Sequence, residues 1–207
     1  MLLKFREIWT LKVFSPFLIA LVAITGDRCV SSPRLNQLQR AILDNLTHAV
    51  IGFETWYFVT VYCFCKYRLA HELLESFLCG VISSLIDVDH FIAARSLHLK
   101  DAVRLESRPF LHCTSALLAA CGALLLAGRA CGVPGLHRAG CLAAAAVLSH
   151  HLRDAARRGL CLWPLGSTAP LPYGVYVGLC ASLPLAVAAL LSLGRRAESR
   201  CVDVWEA

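Results

Sequence analysis

Residues 172–194 read PYGVYVGLCASLPLAVAALLSLG, a run without one charged side chain. About 20 such residues in helical form cross the hydrocarbon core of a bilayer. In water, a helix that is apolar on every side must be enclosed by other protein, and that protein needs polar residues to cover it. This chain of 207 residues has too few: 57% are hydrophobic and only 16% charged, against about 25% charged in an average soluble domain. The mean hydropathy is +0.62. Composition alone therefore excludes a disordered tail protein, a coiled coil and a soluble nucleic-acid binder, and it predicts a multi-pass membrane protein.

Working outward from this run, five further stretches qualify as spans: residues 13–26, 46–65, 73–92, 113–130 and 139–156. The expected fold is an all-α polytopic membrane helical bundle of about six transmembrane helices. Residues 13–26 follow Lys4, Arg6 and Lys12 and also read as a signal peptide, which would leave five spans. Residues 1–12 form a basic N-terminal segment, 13–194 a single helical membrane domain and 195–207 a polar C-terminal tail. The lipid bilayer is thus the first expected partner. The excess of 20 Lys and Arg over 14 Asp and Glu gives +6, which suits anionic head groups and is too scattered for nucleic acid. Ten basic residues fall on each side of the expected spans, so the positive-inside rule assigns no orientation.

The chain has 11 cysteines and no CxxC pair. Cys79, Cys121, Cys141 and Cys180 lie in apolar runs, where cysteine packs as a small hydrophobe; Cys63 and Cys65, at a span end, are candidates for palmitate. Gly174 and Gly178 form a GxxxG, expected to pack closely within the chain. Asn45-Leu46-Thr47 is a glycosylation sequon that abuts a span and is expected to go unused.

Ionisable residues at span ends are costly and mark function by default. His48 opens the second span, and Asp87, Asp89 and His90 (DVDH) end the third. Arg108 and His112 (RPFLH) lead into the fourth, while His150, His151 and Asp154 (SHHLRD) end the fifth. With six crossings, all of these fall on one membrane face. On a helix His150 and Asp154 are four residues apart and share a side, as do Asp87 and His90 at three. Imidazoles and carboxylates together are ligands for zinc, manganese or iron. Arg153, Arg157 and Arg158 before Gly159 read as the cationic C-terminus of a helix with a glycine after it. Glu72 and Glu75 lie at the opposite end of their span and are not expected in the cluster.

HAVIG (48–52), SLIDVDHF (84–91), RPFLHCTS (108–115), SHHLRDAARRGL (149–160) and WPLG with PLPY (163–173) closely resemble the transmembrane protein 267 family of multi-pass proteins. The likeness runs from Asp27 to Pro184. The same order of motifs is similar to that of the bacterial predicted membrane-bound metal-dependent hydrolases: an early HxxxG, DxDH, an HRxxTHS-like box, HxxxD and a proline loop. That resemblance implicates His48 with Gly52, Asp87, Asp89, His90, Arg108, His112, His150, Asp154 and Pro164. The box departs from the bacterial pattern at Ser107, Leu111 and Cys113, which stand where His, Thr and Ser are expected.

The reading that follows is a metal-dependent hydrolase of a lipid-like or amphipathic ester or phosphoester at one membrane face. His48, Asp87, His112, His150 and Asp154 are the expected metal ligands, for one or two divalent ions. Asp89 or His90 would activate water or orient ligands; Arg108, with Arg153 or Arg157, would hold an anionic head group. The competing reading, favoured by Ser107, is a non-catalytic membrane protein that uses the His/Asp cluster as a structural clasp.

Overall fold

The computed structural model describes the backbone of residues 2–63 and 69–205 and the side chains of residues 12–63 and 70–193; Cys65 lies outside them. The elements are α1 (Leu2–Val30), α2 (Gln37–Cys63), α3 (Leu69–Leu85), α4 (Val88–Ala94), α5 (Leu99–Ala102), a 3-10 turn (Phe110–His112), α6 (Thr114–Ala130), α7 (Pro134–Arg158) and α8 (Tyr173–Trp205). No strand occurs among the described residues, and the all-α bundle is as the apolar runs predict.

The distribution of polarity is inverted relative to a protein built for water. Phe17, Leu21, Leu74, Phe77 and Leu126 on the outer faces are 60–70% exposed, whereas His48, Asp89 and His150 are fully buried. A bilayer is the solvent for which this arrangement is stable, because lipid covers the apolar faces and each polar group must find a partner inside. Among the described residues three helices are long and apolar enough to cross a membrane: Lys12–Val30, Ala70–Ala94 and Tyr173–Leu193; Thr114–Ala130 is a shorter apolar helix. The less apolar α2 and α7 run through the middle. α2 packs on α1, α3, α7 and α8, and α7 packs on α2, α3, α6 and α8. Enclosed this way, they carry polar residues that a lipid-facing helix would not tolerate.

α1 packs on α2 and α8. Ile19 and Ala23 are fully buried. Pro16, within α1, has no N–H for the carbonyl of Lys12 one turn back. Tyr62 Oη donates to that carbonyl at 2.8 Å, and Ser15 Oγ donates to it at 3.1 Å. Cys79, Cys121, Cys141 and Cys180 are buried free thiols, as expected of packing residues. Gly174 and Gly178 depart from expectation. Both lie on an exposed side of α8 with no atom within 4 Å of where a Cβ would stand, so the GxxxG is not a close-packing seam within this chain.

Two other glycines do set a helix spacing that matters. A Cβ on Gly52 would fall 2.8 Å from Ser83 Cβ, and one on Gly80 would fall 2.6 Å from the carbonyl oxygen of Ala49. Their absence lets α2 and α3 approach closely enough for Ser83 Oγ to donate to the carbonyl of His48 at 3.1 Å. Gly52→Val is therefore expected to cost about 1–3 kcal/mol by overpacking, read as a lowered thermal midpoint in detergent. An unchanged midpoint would refute the close α2–α3 contact.

Candidate metal centre

The third span breaks at DVDH. Asp87 stands as the N-cap of α4, but its side chain makes no cap hydrogen bond, which leaves the carboxylate free to turn inward. Pro109 opens the 3-10 turn that carries His112. Beyond that turn, Thr114 N–H donates to the carbonyl of Cys161 at 2.9 Å, tying the turn to the segment after α7. His150 and Asp154 project from successive turns of α7.

These three places converge. Asp87, His112, His150 and Asp154 each offer one donor atom, and all four atoms lie within 4.8 Å of one another. His112 Nε2 is 3.5 Å from Asp87 Oδ1, 3.4 Å from Asp154 Oδ2 and 3.3 Å from His150 Nε2. His150 Nε2 is 3.6 Å from both Asp87 Oδ1 and Asp154 Oδ2. Metal–donor bonds of about 2.0–2.2 Å put the corners of a tetrahedron about 3.3–3.6 Å apart. Five of its six edges are thus present, among the same four atoms.

The protonation pattern follows from the partners on the far side. His150 Nδ1 lies 2.8 Å from the carbonyl of Ser83; a carbonyl only accepts, so Nδ1 carries a proton and, in the neutral ring, Nε2 presents a lone pair. His112 Nδ1 lies 3.2 Å from Asp89 Oδ1 and 3.3 Å from Oδ2, which fixes the same tautomer. With both rings neutral, two lone pairs and two carboxylates meet at one point, an arrangement that calls for a cation, whether a metal ion or a proton on a ring nitrogen. Every donor is also held from behind. Asn45 Nδ2 donates to Asp87 Oδ2 at 3.3 Å, and Leu111 N–H donates to Asp89 Oδ2 at 2.7 Å. His48 Nε2 lies 3.5 Å from Asp154 Oδ1. Outer partners of this kind orient the ligands of metal sites and fix their tautomers.

His48 is placed differently from expectation. It stands behind Asp154 and stacks on His150 with ring centroids 3.9 Å apart, outside the group of four. The ring is fully buried, and among the described residues Nε2 approaches Asp154 at 3.5 Å without closing a hydrogen bond. A second group, Asp89, His90 and His112, is also close enough to hold an ion, but it shares His112 and would use Nδ1, the nitrogen turned to Asp89. His151 Nε2 meets the carbonyl of Leu111 at 2.9 Å, and Pro164 is exposed in the turn that follows α7.

The three arginines expected at an anionic head group are already engaged. Arg153 is buried, its guanidinium 3.0 Å from Asp27 Oδ1 and 2.6 Å from Asp44 Oδ1. Arg157 grips both oxygens of Asp44 at 2.9 and 2.6 Å. Burial alone would raise the Asp44 carboxyl, but the hydrogen bonds from Arg157 and the charges of Arg153 and Arg157 outweigh it and hold it at about 2. Arg108 donates to the carbonyls of Gly159, at 3.0 Å, and Arg158. It thereby caps the C-terminus of α7, where a cation is favoured. At the opposite end of the bundle, Glu75 binds Arg138 and the indole of Trp56, away from the cluster as its position in the span requires. Asp27, Asp44 and Asn45 are the partners that sequence reasoning missed. Asn45, read as an idle sequon, spends its amide on Asp87 and on the Ser84 carbonyl at 3.0 Å.

A zebrafish (Danio rerio) protein described as transmembrane protein 267 is 39% identical over 158 residues, covering 74% of this chain and 68% of that protein. The chain belongs to the transmembrane protein 267 family. Mouse (Mus musculus) transmembrane protein 267 is 37% identical, covering 80% of this chain and 76% of its own length. The Xenopus laevis member is 35% identical, covering 89% and 85%. No family model and no solved structure matches the chain; membership of the transmembrane protein 267 family is shown, and likeness to the bacterial hydrolases rests on motif order alone.

Proposed function

We propose that this chain is a membrane metalloprotein that holds one divalent ion, zinc, manganese or iron, between Asp87, His112, His150 and Asp154, and hydrolyses a lipid-like ester or phosphoester at one membrane face. The observation that supports the reading is the set of five donor–donor distances of 3.3–3.6 Å among four atoms of Asp87, His112, His150 and Asp154. When bound, such an ion lowers the pKa of water and polarises the oxygen of an ester or phosphate.

The protein's own residues supply the rest. His112 and Asp154 line a cleft that also takes in His90, so this side of the group of four is the one substrate reaches. Asp89 is committed to Leu111 N–H and to His112, so it orients rather than activates water. His90 Nδ1 lies 3.3 Å from Asp89 Oδ1, which leaves the ring of His90, at the cleft, as the group best placed to move a proton.

The clasp reading keeps one point in its favour: four protein donors close a tetrahedron, as in structural sites. Asp89→Asn separates the two. Under the hydrolytic reading the variant, loaded with excess metal, keeps its thermal midpoint and, having lost the partner that orients His112, loses about 10–100-fold of the hydrolysis of short-chain ester and phosphoester lipids. A wild-type protein inactive on both, with a variant that melts early, would favour the clasp.

A further inference from the structure

Among the described residues two arginines line the cleft, Arg108 and Arg158, and the first is engaged by the carbonyls at the end of α7. Arg158 is exposed, lines the cleft together with His112 and Asp154, and has no protein partner for its guanidinium among the described residues. Its backbone carbonyl accepts from Arg108, which fixes the last turn of α7 beneath it. An unpaired guanidinium at the mouth of a cleft is a natural receptor for a phosphate, through paired, charge-assisted hydrogen bonds.

A second observation concerns the rim. Phe110 follows Pro109, a lining residue of the cleft, and is 61% exposed. Trp163 is 72% exposed, and its carbonyl accepts from Ser115 Oγ at 2.7 Å, beside the lining residue Thr114. Large aromatic side chains at the end of a membrane bundle sit at the lipid–water boundary. A free cation inside the mouth and apolar rings outside it match one shape of ligand, an anionic head carrying an acyl chain.

We infer that the cleft binds a lipid with a phosphate head group, held by Arg158 with its acyl chain against Phe110 and Trp163. This deepens the hydrolytic reading by naming its substrate class, and it rests on that reading for turnover but not for binding. The test uses the detergent-purified full chain, titrated with dioctanoyl phosphatidate, with dioctanoylglycerol lacking phosphate, and with inorganic phosphate. Phosphatidate is expected to bind, and Arg158→Gln to weaken it by about tenfold or more, with thermal midpoint and metal content unchanged. Arg34→Gln, an exposed cation away from the cleft, is expected to leave it unchanged.

Equal binding of dioctanoylglycerol would overturn the phosphate contact, and equal binding of inorganic phosphate would overturn the lipid. Undiminished binding by Arg158→Gln would overturn the assignment of the residue. A protein that holds no metal yet binds phosphatidate through Arg158 would support this inference while overturning the hydrolytic reading, so the two fail separately.

Discussion

Replacing His150 with alanine is expected to abolish divalent-metal binding by the purified protein. Its Nδ1 is fixed by the Ser83 carbonyl at 2.8 Å, so Nε2 has no orientation other than toward the group of four. It contributes three of the five tetrahedral edges, and no other described side chain stands ready to replace it: His48 is stacked against its ring and turned to Asp154. Loss of an outer partner alone costs metal sites about 10–100-fold in affinity, and loss of a ligand should exceed that. Equilibrium dialysis with elemental analysis checks it. His151→Ala is the control, because His151 faces the Leu111 carbonyl, and it should retain the ion. Wild-type stoichiometry in His150→Ala would exclude this site.

The second large effect lies beside the metal centre. Arg153 of α7 reaches Asp27 of α1 and Asp44 of α2, and Tyr176 of α8 donates to Asp27 Oδ2 at 2.7 Å. Four helices are thus joined through one buried guanidinium. Arg153→Ala leaves Asp27 partly buried without its cation and Asp44 with Arg157 alone, a loss of about 3–5 kcal/mol when a buried pair is broken on one side. Thermal unfolding in detergent should show a markedly lower midpoint. Neutralising both acids as well, in Asp27→Asn with Asp44→Asn on the Arg153→Ala background, should recover part of it, because the penalty comes from the stranded charges. A single variant as stable as wild type would show that the network does not hold the bundle.

How far the sequence reveals this arrangement depends on the range of the interaction involved. Spans are local: the uncharged run at 172–194 announces α8 whatever its neighbours are. The convergence of DVDH, RPFLH and SHHLRD needs only the parity of membrane crossings, and the structure brings Asp87, His112, His150 and Asp154 together accordingly. The roles within the cluster are less legible. His48 and His112 look alike as lone histidines near span ends, and the 3-10 turn and the close α2–α3 approach decide which of them enters the group of four. Pairing among the arginines is wholly tertiary. Arg153, Arg157 and Arg158 read as one cationic helix end, yet the first two are consumed by Asp27 and Asp44 while the third is left at the cleft. Asn45 was hidden by the sequon it opens, and only the packing of α2 on α3 aims its amide at Asp87. The Gly174–Gly178 pair has the spacing of a packing seam, but the rotation of α8 turns it outward.

The central claim is that Asp87, His112, His150 and Asp154 form one metal centre. X-ray absorption at the zinc edge, on detergent-purified protein given one equivalent of zinc, tests it most directly. The predicted spectrum is a four-coordinate shell of nitrogen and oxygen at about 2.0–2.2 Å, with the outer scattering of two imidazole rings. A spectrum matching hydrated zinc in the same detergent buffer, or a shell containing sulfur, would contradict it.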